Sequence, residues 1–341
     1  MSYATTDKDN PVNKTLLQAL GSSDISPIDE EVALFLAQMR ERWSQHPSLS
    51  SVSPAEARKI AEIVREPFRK GGPTISDTRE LSIPTRHGDM RARLYNPGLG
   101  ENAPLLIYLH GGGFTLFSID THDRLMREYA ASARVKVLGL DYYLSPEYKF
   151  PVAIEQVEDT FQWLKTASVG VDLERISMGG DSAGGNITMA TAIRLRDKDE
   201  GTLLKGMLFN YSGFSTQCSD EAEALHGGPG SVMDREEIRY YYRNYTRTAA
   251  DLSNPEIFLL KAKLNDLPPS FLVIADRDII AENSYAMADR LEQAGNAVQY
   301  KIYKGATHSF LEAMAISRLA REAIADGAAF INGMLNGHDR G

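Results

Sequence analysis

Short, continuously apolar runs alternate with amphipathic stretches through most of the chain. The run 105–109 (Leu-Leu-Ile-Tyr-Leu) is typical of a strand that is buried on both faces of a sheet. Further strands are predicted at 135–140, 175–179, 207–209, 271–274 and 298–303. Helices are predicted at 121–134, 151–165, 183–196, after 274 through Leu291, and at the C-terminus to about Leu335. This alternation predicts an α/β fold with a mainly parallel sheet and flanking helices.

Two amphipathic helices are predicted before the alternation begins. Each opens with Ser-Pro and an acidic residue three positions after the serine, at Ser26 and Ser53, which places serine at the N-cap and proline at the first helical position. Their apolar faces carry Val32, Phe35, Leu36 and Met39 in the first helix and Ile60, Ile63 and Val64 in the second. Between these helices and the alternation, a hairpin is predicted over 80–97, with its turn at His87 and Gly88.

One long segment, 211–267, interrupts the alternation. Its centre has apolar and aromatic residues at helical spacing, namely Ile238, Tyr241, Tyr242 and Tyr245. Such long connections are uncommon unless they are functional, so a cap over the carboxyl edge of the sheet is favoured over an ordinary crossover helix with an aromatic core face. The predicted organisation is N-terminal cap helices in 1–75, an α/β catalytic domain in 76–210 and 268–341, and a cap insertion in 211–267.

Composition and charge exclude several classes of function. The 341 residues carry a net charge of −9, which argues against non-specific binding to nucleic acid or anionic membranes. No apolar run reaches the ~18 residues that a membrane span requires, and the polar N-terminal stretch does not resemble a signal peptide. Cys218 is the only cysteine, so neither a disulfide framework nor a thiolate metal cluster is expected. The sequence therefore predicts a cytoplasmic protein.

The hexapeptide Gly180-Asp181-Ser182-Ala183-Gly184-Gly185 is the strongest chemical signal in the chain. It lies between a predicted strand and a predicted helix, and a sharp turn at this point would expose the serine hydroxyl as a nucleophile. Gly180 and Gly184 fit because only residues without side chains can flank such a turn. The alternative is a glycine-rich loop with an incidental serine.

The other groups that a nucleophilic serine needs follow other predicted strands. The glycines of His110-Gly111-Gly112-Gly113 leave backbone N–H groups free for an oxyanion, and the amide of Ala183 adds another donor. Of the seven histidines, only His308 follows the serine and the acid at the end of a late strand, so it is the candidate base.

The acid that would orient His308 is ambiguous from local chemistry. Asp276 and Asp278 both follow the strand 271–274, and Glu282 is a third candidate. Residues two apart in a strand face the same side, so spacing does not separate the two aspartates.

With these residues in place, the chain resembles the hormone-sensitive-lipase-like esterases of the α/β-hydrolase superfamily, and among them the bacterial acetyl esterases. The resemblance covers roughly residue 81 to the C-terminus. The motifs that carry it are His110 to Gly113, Thr121-His122-Asp123-Arg124, Asp141 to Glu147, Phe150-Pro151 and Gly179 to Asn186.

The resemblance implies specific roles for several residues. It implies Asp278 as the triad acid with Asp276 in support, and oxyanion donors at the amides of Gly112, Gly113 and Ala183. It also implies a cap built from N-terminal helices and an inserted segment. The chain departs from the family pattern at Ile279, where proline is usual, and at Ser309, where glycine usually follows the histidine.

The expected function is hydrolysis of short-chain, acetyl-type esters by Ser182, His308 and Asp278 through an acyl-enzyme. The expected pocket wall includes Phe114, Phe117, Tyr241 and Tyr245, although packing roles for these aromatics are equally compatible with the sequence. No metal or cofactor is expected, the partner is a small-molecule ester, and the oligomeric state is left open between monomer and homodimer. An amide, formamide or lactone hydrolase with the same triad is the alternative, and a non-catalytic small-molecule receptor is a more distant one.

Overall fold

The computed structural model describes residues 26–228 and 231–337. Within this part of the chain, eight strands form one sheet in the order β1-β2-β4-β3-β5-β6-β7-β8. β1 and β2 are antiparallel, β2 pairs antiparallel with β4, and all other neighbouring strands are parallel. The predicted α/β fold with a mainly parallel sheet is therefore confirmed. The strands are β1 Asp77–Thr85, β2 Gly88–Asn96, β3 Ala103–Leu109, β4 Lys136–Leu140, β5 Val171–Asp181, β6 Leu204–Asn210, β7 Ser270–Arg277 and β8 Val298–Thr307.

Helices cover both faces of the sheet, which explains why its central strands are apolar without interruption. In β3, Leu105 and Ile107 belong to one hydrophobic cluster, while Leu106 and Tyr108 belong to the cluster on the opposite face. The described α-helices are α1 Glu30–Ser44, α2 Pro54–Arg65, α3 Asp123–Ala133, α4 Val152–Leu164, α5 Ala183–Asp197, α6 Asp220–His226, α7 Arg235–Tyr245, α8 Ala281–Gln293 and α9 Arg318–Asn336. Among them, none has the length and apolar character that crossing a membrane requires.

The two predicted N-terminal helices are present, with two corrections. α1 is capped by Asp29 rather than Ser26, because the Asp29 carboxylate accepts the amides of Glu31 and Val32 at 3.1 Å each. Ser53 caps α2 as predicted. The apolar faces are buried apart from Ile63, whose side chain is 53% exposed. Residues 1–25 of the predicted N-terminal cap lie outside the described residues.

The described residues of the insertion, 211–228 and 231–267, contain two α-helices, α6 and α7, where the sequence predicted one. α7 begins with a capping box in which Asp234 and Glu237 each accept the other's backbone amide. Ile238, Tyr242 and Tyr245 are buried as its periodicity predicts. The Tyr242 hydroxyl donates to the Ser215 carbonyl at 3.0 Å, which fixes α7 against the rest of the insertion.

Candidate active site

Ser182 lies on a sharp turn where β5 ends and α5 begins. Its backbone is left-handed, with φ of +51° and ψ of −117°, a conformation that costs energy for a residue with a side chain. The turn is possible because its neighbours are glycines: a Cβ at either Gly180 or Gly184 would overlap the carbonyl oxygen of Leu109 at the end of β3. The elbow therefore packs directly against β3, and the hydroxyl of Ser182 is presented at the carboxyl edge of the sheet.

A continuous hydrogen-bonded chain joins Ser182, His308 and Asp278. His308 Nε2 lies 2.9 Å from Ser182 Oγ, and His308 Nδ1 lies 2.7 Å from Asp278 Oδ2. The Asp278 and His308 side chains are nearly inaccessible, with 2% and 6% of each residue exposed. Burial favours the neutral imidazole, but the charge and hydrogen bond of Asp278 outweigh it, so the pKa of His308 is raised.

The structure separates the three candidate acids by what they contact. Asp276 Oδ1 accepts the backbone amide of Gly305 at 2.7 Å and thus braces β8 before the histidine. Glu282 Oε1 accepts the amide of Ser219 at 2.7 Å and holds the insertion. Asp278 alone among the three contacts the imidazole of His308.

The three expected oxyanion donors lie in the turn after β3 and at the start of α5. Gly112 and Gly113 have φ of +114° and +58°, so both need the conformational freedom of glycine. A Cβ at Gly112 would overlap the Leu116 carbonyl, and one at Gly113 would overlap the ring of Tyr241. Within the described residues, the amides of Gly112, Gly113 and Ala183 have no hydrogen-bond acceptor. Ala183 is also the first residue of α5, where the helix dipole favours negative charge.

Buried polar residues support the turn that carries Gly112 and Gly113. The His110 ring stacks on Tyr142 with centroids 4.5 Å apart, and burial lowers the pKa of His110 to about 3. This ring is therefore neutral, and its Nδ1–H donates to the Gly111 carbonyl at 2.7 Å. Asp181 accepts from the Tyr108 hydroxyl at 3.0 Å and lies 3.2 Å from His122 Nε2. Despite burial, their mutual attraction raises the pKa of His122 and lowers that of Asp181.

A cavity of about 700 Å³ opens beside Ser182 and His308. Phe117 and Tyr241 line it, as the sequence predicted. Phe114 and Tyr245 do not, and that expectation is wrong: they stack on each other in the core, with ring centroids 3.8 Å apart and planes within 5°.

Several cavity residues were not assigned to the site from the sequence. They come from α1, from the end of α2 and from the loop after His308: Phe35, Leu36, Met39, Trp43, Arg65 and Glu312. The apolar stripe of α1 was the available signal, since Phe35, Leu36 and Met39 were predicted to be buried. The pairing of Arg65 with Glu312 left no sequence signal.

Comparison with known proteins places this geometry in a family. A family model described as alpha/beta hydrolase fold matches residues 106–312. The chain belongs to the hormone-sensitive-lipase-like family of α/β-hydrolases. This hydrolase is similar in structure to the hyperthermophilic esterase from the archaeon Pyrobaculum calidifontis, with 30% identity, a TM-score of 0.83, and coverage of 90% of this chain and 99% of the other.

Two further solved structures resemble this hydrolase. A thermophilic carboxylesterase cloned from a metagenomic library has 29% identity and a TM-score of 0.80, with coverage of 84% of this chain and 98% of the other. An ester-hydrolase from the metagenome of Lake Arreo, complexed with a bipyridine phosphonate derivative, has 27% identity and a TM-score of 0.83, with coverage of 90% and 98%.

Proposed function

We propose that this α/β-hydrolase is a serine carboxylesterase that uses Ser182, His308 and Asp278 to hydrolyse short-chain, acetyl-type esters. At the level of the family, it is an esterase of the α/β-hydrolase fold. The observation that carries the catalytic assignment is the hydrogen-bonded chain from Ser182 Oγ through His308 to Asp278, which opens on a cavity lined by Gly112 and Gly113. Among the described residues, neither glycine amide has a hydrogen-bond acceptor.

In the proposed mechanism, Ser182 Oγ attacks the ester carbonyl carbon while His308 Nε2 takes the hydroxyl proton. Asp278 accepts the Nδ1–H bond, which holds the imidazole in the required tautomer and stabilises the imidazolium. The amides of Gly112, Gly113 and Ala183 donate to the oxyanion of the tetrahedral intermediate. His308 then protonates the leaving alcohol as its bond to the acyl carbon breaks. A water molecule next attacks the acyl carbon while His308 takes its proton, and His308 returns that proton to Ser182 Oγ as the carboxylic acid is released.

The proposed acyl preference depends on the side chains that line the cavity beside the oxyanion donors. Phe117 and Tyr241 lie against Gly112 and Gly113, and these large rings support a preference for a small acyl group. The whole cavity of about 700 Å³ is of the size that accommodates small organic molecules, so it also has room for a larger alcohol group.

We propose that the N-terminal helices and the insertion 211–267 together form a cap over this site, with 76–210 and 268–341 as the catalytic domain. Phe35 and Trp43 of α1 line the cavity from one segment, and Glu237 and Tyr241 of α7 line it from the other. The amide of Asp29 donates to the Gly305 carbonyl at 3.0 Å, which ties the start of α1 to β8.

The experiment combines covalent labelling with a substrate series. A fluorophosphonate should label Ser182, and Ser182→Ala should abolish both labelling and hydrolysis of p-nitrophenyl acetate without changing the circular dichroism spectrum. Ser231→Ala, at another serine that lines the cavity, is the matched control and should retain both. Hydrolysis retained by Ser182→Ala would refute the nucleophile, and a rate that rises steadily from acetyl to octanoyl esters would refute the short-chain preference.

A further inference from the structure

A buried ion pair lies in the wall of the cavity beside the histidine loop, defined here as residues 308–315. Arg65, the last residue of α2, places its Nε 2.5 Å from Glu312 Oε2, and the two side chains are only 8% and 11% exposed. Both residues line the same cavity as Ser182 and His308. Burying two charges costs desolvation free energy, so this pair is weak evidence of added stability and is a candidate for a role at the site.

The guanidinium of Arg65 is held from several directions. Its Nη1 lies 2.9 Å from Met39 Sδ in α1, and its carbon lies 4.5 Å from the Phe117 ring centre and 5.8 Å from that of Trp43. A flat, weakly hydrated guanidinium suits such a site because it can stack on rings while pairing with a carboxylate. Arg65 therefore contacts both α1, through Met39 and Trp43, and Phe117, which follows the glycines at 111–113.

Glu312 belongs to the loop that carries the catalytic histidine. It lies in the short 3₁₀ helix Phe310–Ala315, and its amide donates to the Ser309 carbonyl at 3.0 Å. Ser309 itself is left-handed, with φ of +61°. The turn that directly follows His308 is thus closed by the backbone of Glu312, so the position of Glu312 bears on the residue next to the imidazole.

The charges around His308 come from several elements. The carboxylates that act on its ring are Asp278, Asp181 and Glu312, with Glu237 facing it from α7, and the ring of Tyr211 packs edge-on at 5.2 Å. Glu312 in turn acts on His122, at the N-cap of α3, and pairs with Arg65. Since the positive charge of Arg65 offsets the negative charge of Glu312, the loss of either side chain changes the electrostatic potential at His308.

We propose that Glu312, held by Arg65, is a positioning residue for His308 that couples the docking of the N-terminal helices to the geometry and charge of the catalytic base. This inference rests on the proposed function for its kinetic consequences. A purely structural pair would stabilise the packing of α2 without affecting His308. A positioning pair would instead change the protonation midpoint of the imidazole and its placement beside Ser182.

The test uses Glu312→Gln with Glu147→Gln as the matched control. Glu147 also pairs with an arginine of α2, because Arg58 Nη2 lies 2.6 Å from Glu147 Oε2, but this second pair is absent from the cavity wall. The protonation midpoint of His308 is measured by NMR on the full chain with labelled histidine, and its signal is assigned by comparison with His308→Gln. The pH dependence of kcat and KM is measured alongside on p-nitrophenyl acetate.

In Glu312→Gln the loss of the carboxylate, which also leaves the Arg65 cation uncompensated, should lower the His308 midpoint by about half a pH unit or more. It should also lower kcat roughly tenfold or more, with KM changed less than about twofold, because a displaced base affects the chemical step. Glu147→Gln should leave the midpoint and kcat unchanged. A Glu312→Gln protein that loses only thermal stability, with midpoint and kcat as in the unmodified chain, would overturn the proposal.

Two further outcomes are covered by the same measurements: an unmodified chain without esterase activity, and a Glu312→Gln variant that does not fold. If the unmodified chain hydrolyses no ester, the proposed function fails, while the NMR midpoint still decides whether Glu312 acts on His308. If Glu312→Gln does not fold because Arg65 is left buried and unpaired, the double variant Arg65→Met with Glu312→Gln removes both charges. A shifted or broadened low-field proton signal of His308 Nδ1–H in the double variant supports positioning, and an unchanged signal overturns it.

Discussion

At the scale of single residues, Asp276 and Asp278 are alike in the sequence but differ in their contacts. Asp278 accepts from His308 Nδ1, whereas Asp276 accepts from the amide of Gly305. Asp278→Asn should therefore lower kcat by about three to four orders of magnitude, because an amide favours the wrong imidazole tautomer. Asp276→Asn keeps an acceptor for Gly305 and should cost less than about tenfold. Both are measured on p-nitrophenyl acetate, and the reverse order would transfer the acid role to Asp276.

The pKa of His308 predicts the pH dependence of the reaction. In the proposed mechanism His308 acts as a base only when it is neutral, so activity should be lost as the pH falls through its pKa. Because Asp278 raises that pKa against the effect of burial, the acid limb of kcat/KM should lie above the ordinary histidine value of about 6.5. Removing the charge with Asp278→Asn should move the limb to lower pH. A pH-rate profile of both proteins checks this, and a limb that does not move would contradict it.

The sequence predicted which residues meet where chemistry and chain order coincide, and it failed where packing decides. Ser182 and His308 follow from residue type and strand order. Tyr241 and Tyr245 share a helical face, but Tyr241 lines the cavity whereas Tyr245, one turn later in α7, packs on Phe114 in the core. The Arg65–Glu312 pair could not be predicted from the sequence, because charged residues on an amphipathic helix such as α2 usually face solvent.

At the scale of elements, the junction of β5 and α5 depends on glycine. Gly184→Ala places a methyl group on the Leu109 carbonyl oxygen, which is backbone and cannot move aside. This variant should lower the melting temperature by several degrees and abolish most activity. Gly333→Ala is the matched control, since its Cβ meets nothing within 4 Å on the exposed side of α9. There, alanine should be neutral or stabilise by up to about 1 kcal/mol. Equal effects in thermal denaturation would refute the argument.

Element type was easier to predict from the sequence than element boundaries. β5 extends over 171–181 rather than 175–179, because pairing with its neighbours continues strands beyond their apolar centres. The start of α1 was misplaced by one turn because Ser26 and Asp29 are both good caps. The structure selects Asp29, whose own amide is fixed by the Gly305 carbonyl.

At the scale of the whole molecule, the alternating pattern was sufficient for the sheet but not for the cavity. A parallel sheet follows from strands that alternate with helices, because each connection must cross a face. The cavity instead combines α1, the end of α2, the histidine loop and α7, which are distant in the chain. Their meeting depends on tertiary packing, so the sequence predicted a cap without predicting which side chains line the pocket.

This distinction between pocket and core leads to a prediction about substrate range. Tyr241 lines the cavity and touches Gly113, whereas Phe114 is buried against Tyr245. Tyr241→Ala should widen the space beside the proposed oxyanion donors. The ratio of kcat/KM for hexanoyl over acetyl esters should therefore rise about tenfold or more, since accommodating even one of the four additional methylenes is worth roughly that much. Phe114→Ala should cost about 3–5 kcal/mol of stability and leave that ratio unchanged.

The two variants are compared by a p-nitrophenyl ester series and by urea denaturation. Trp43→Ala extends the test to the N-terminal side of the cavity, because Trp43 lines it from α1. Acetate esters of several alcohols are added for Trp43→Ala, because the p-nitrophenyl series varies only the acyl group. If Trp43→Ala alters the preference for the alcohol group and Tyr241→Ala that for the acyl group, the N-terminal helices contact the alcohol group and the insertion contacts the acyl group. A change in the chain-length ratio with Phe114→Ala, or none with Tyr241→Ala, would mean that the acyl group binds elsewhere.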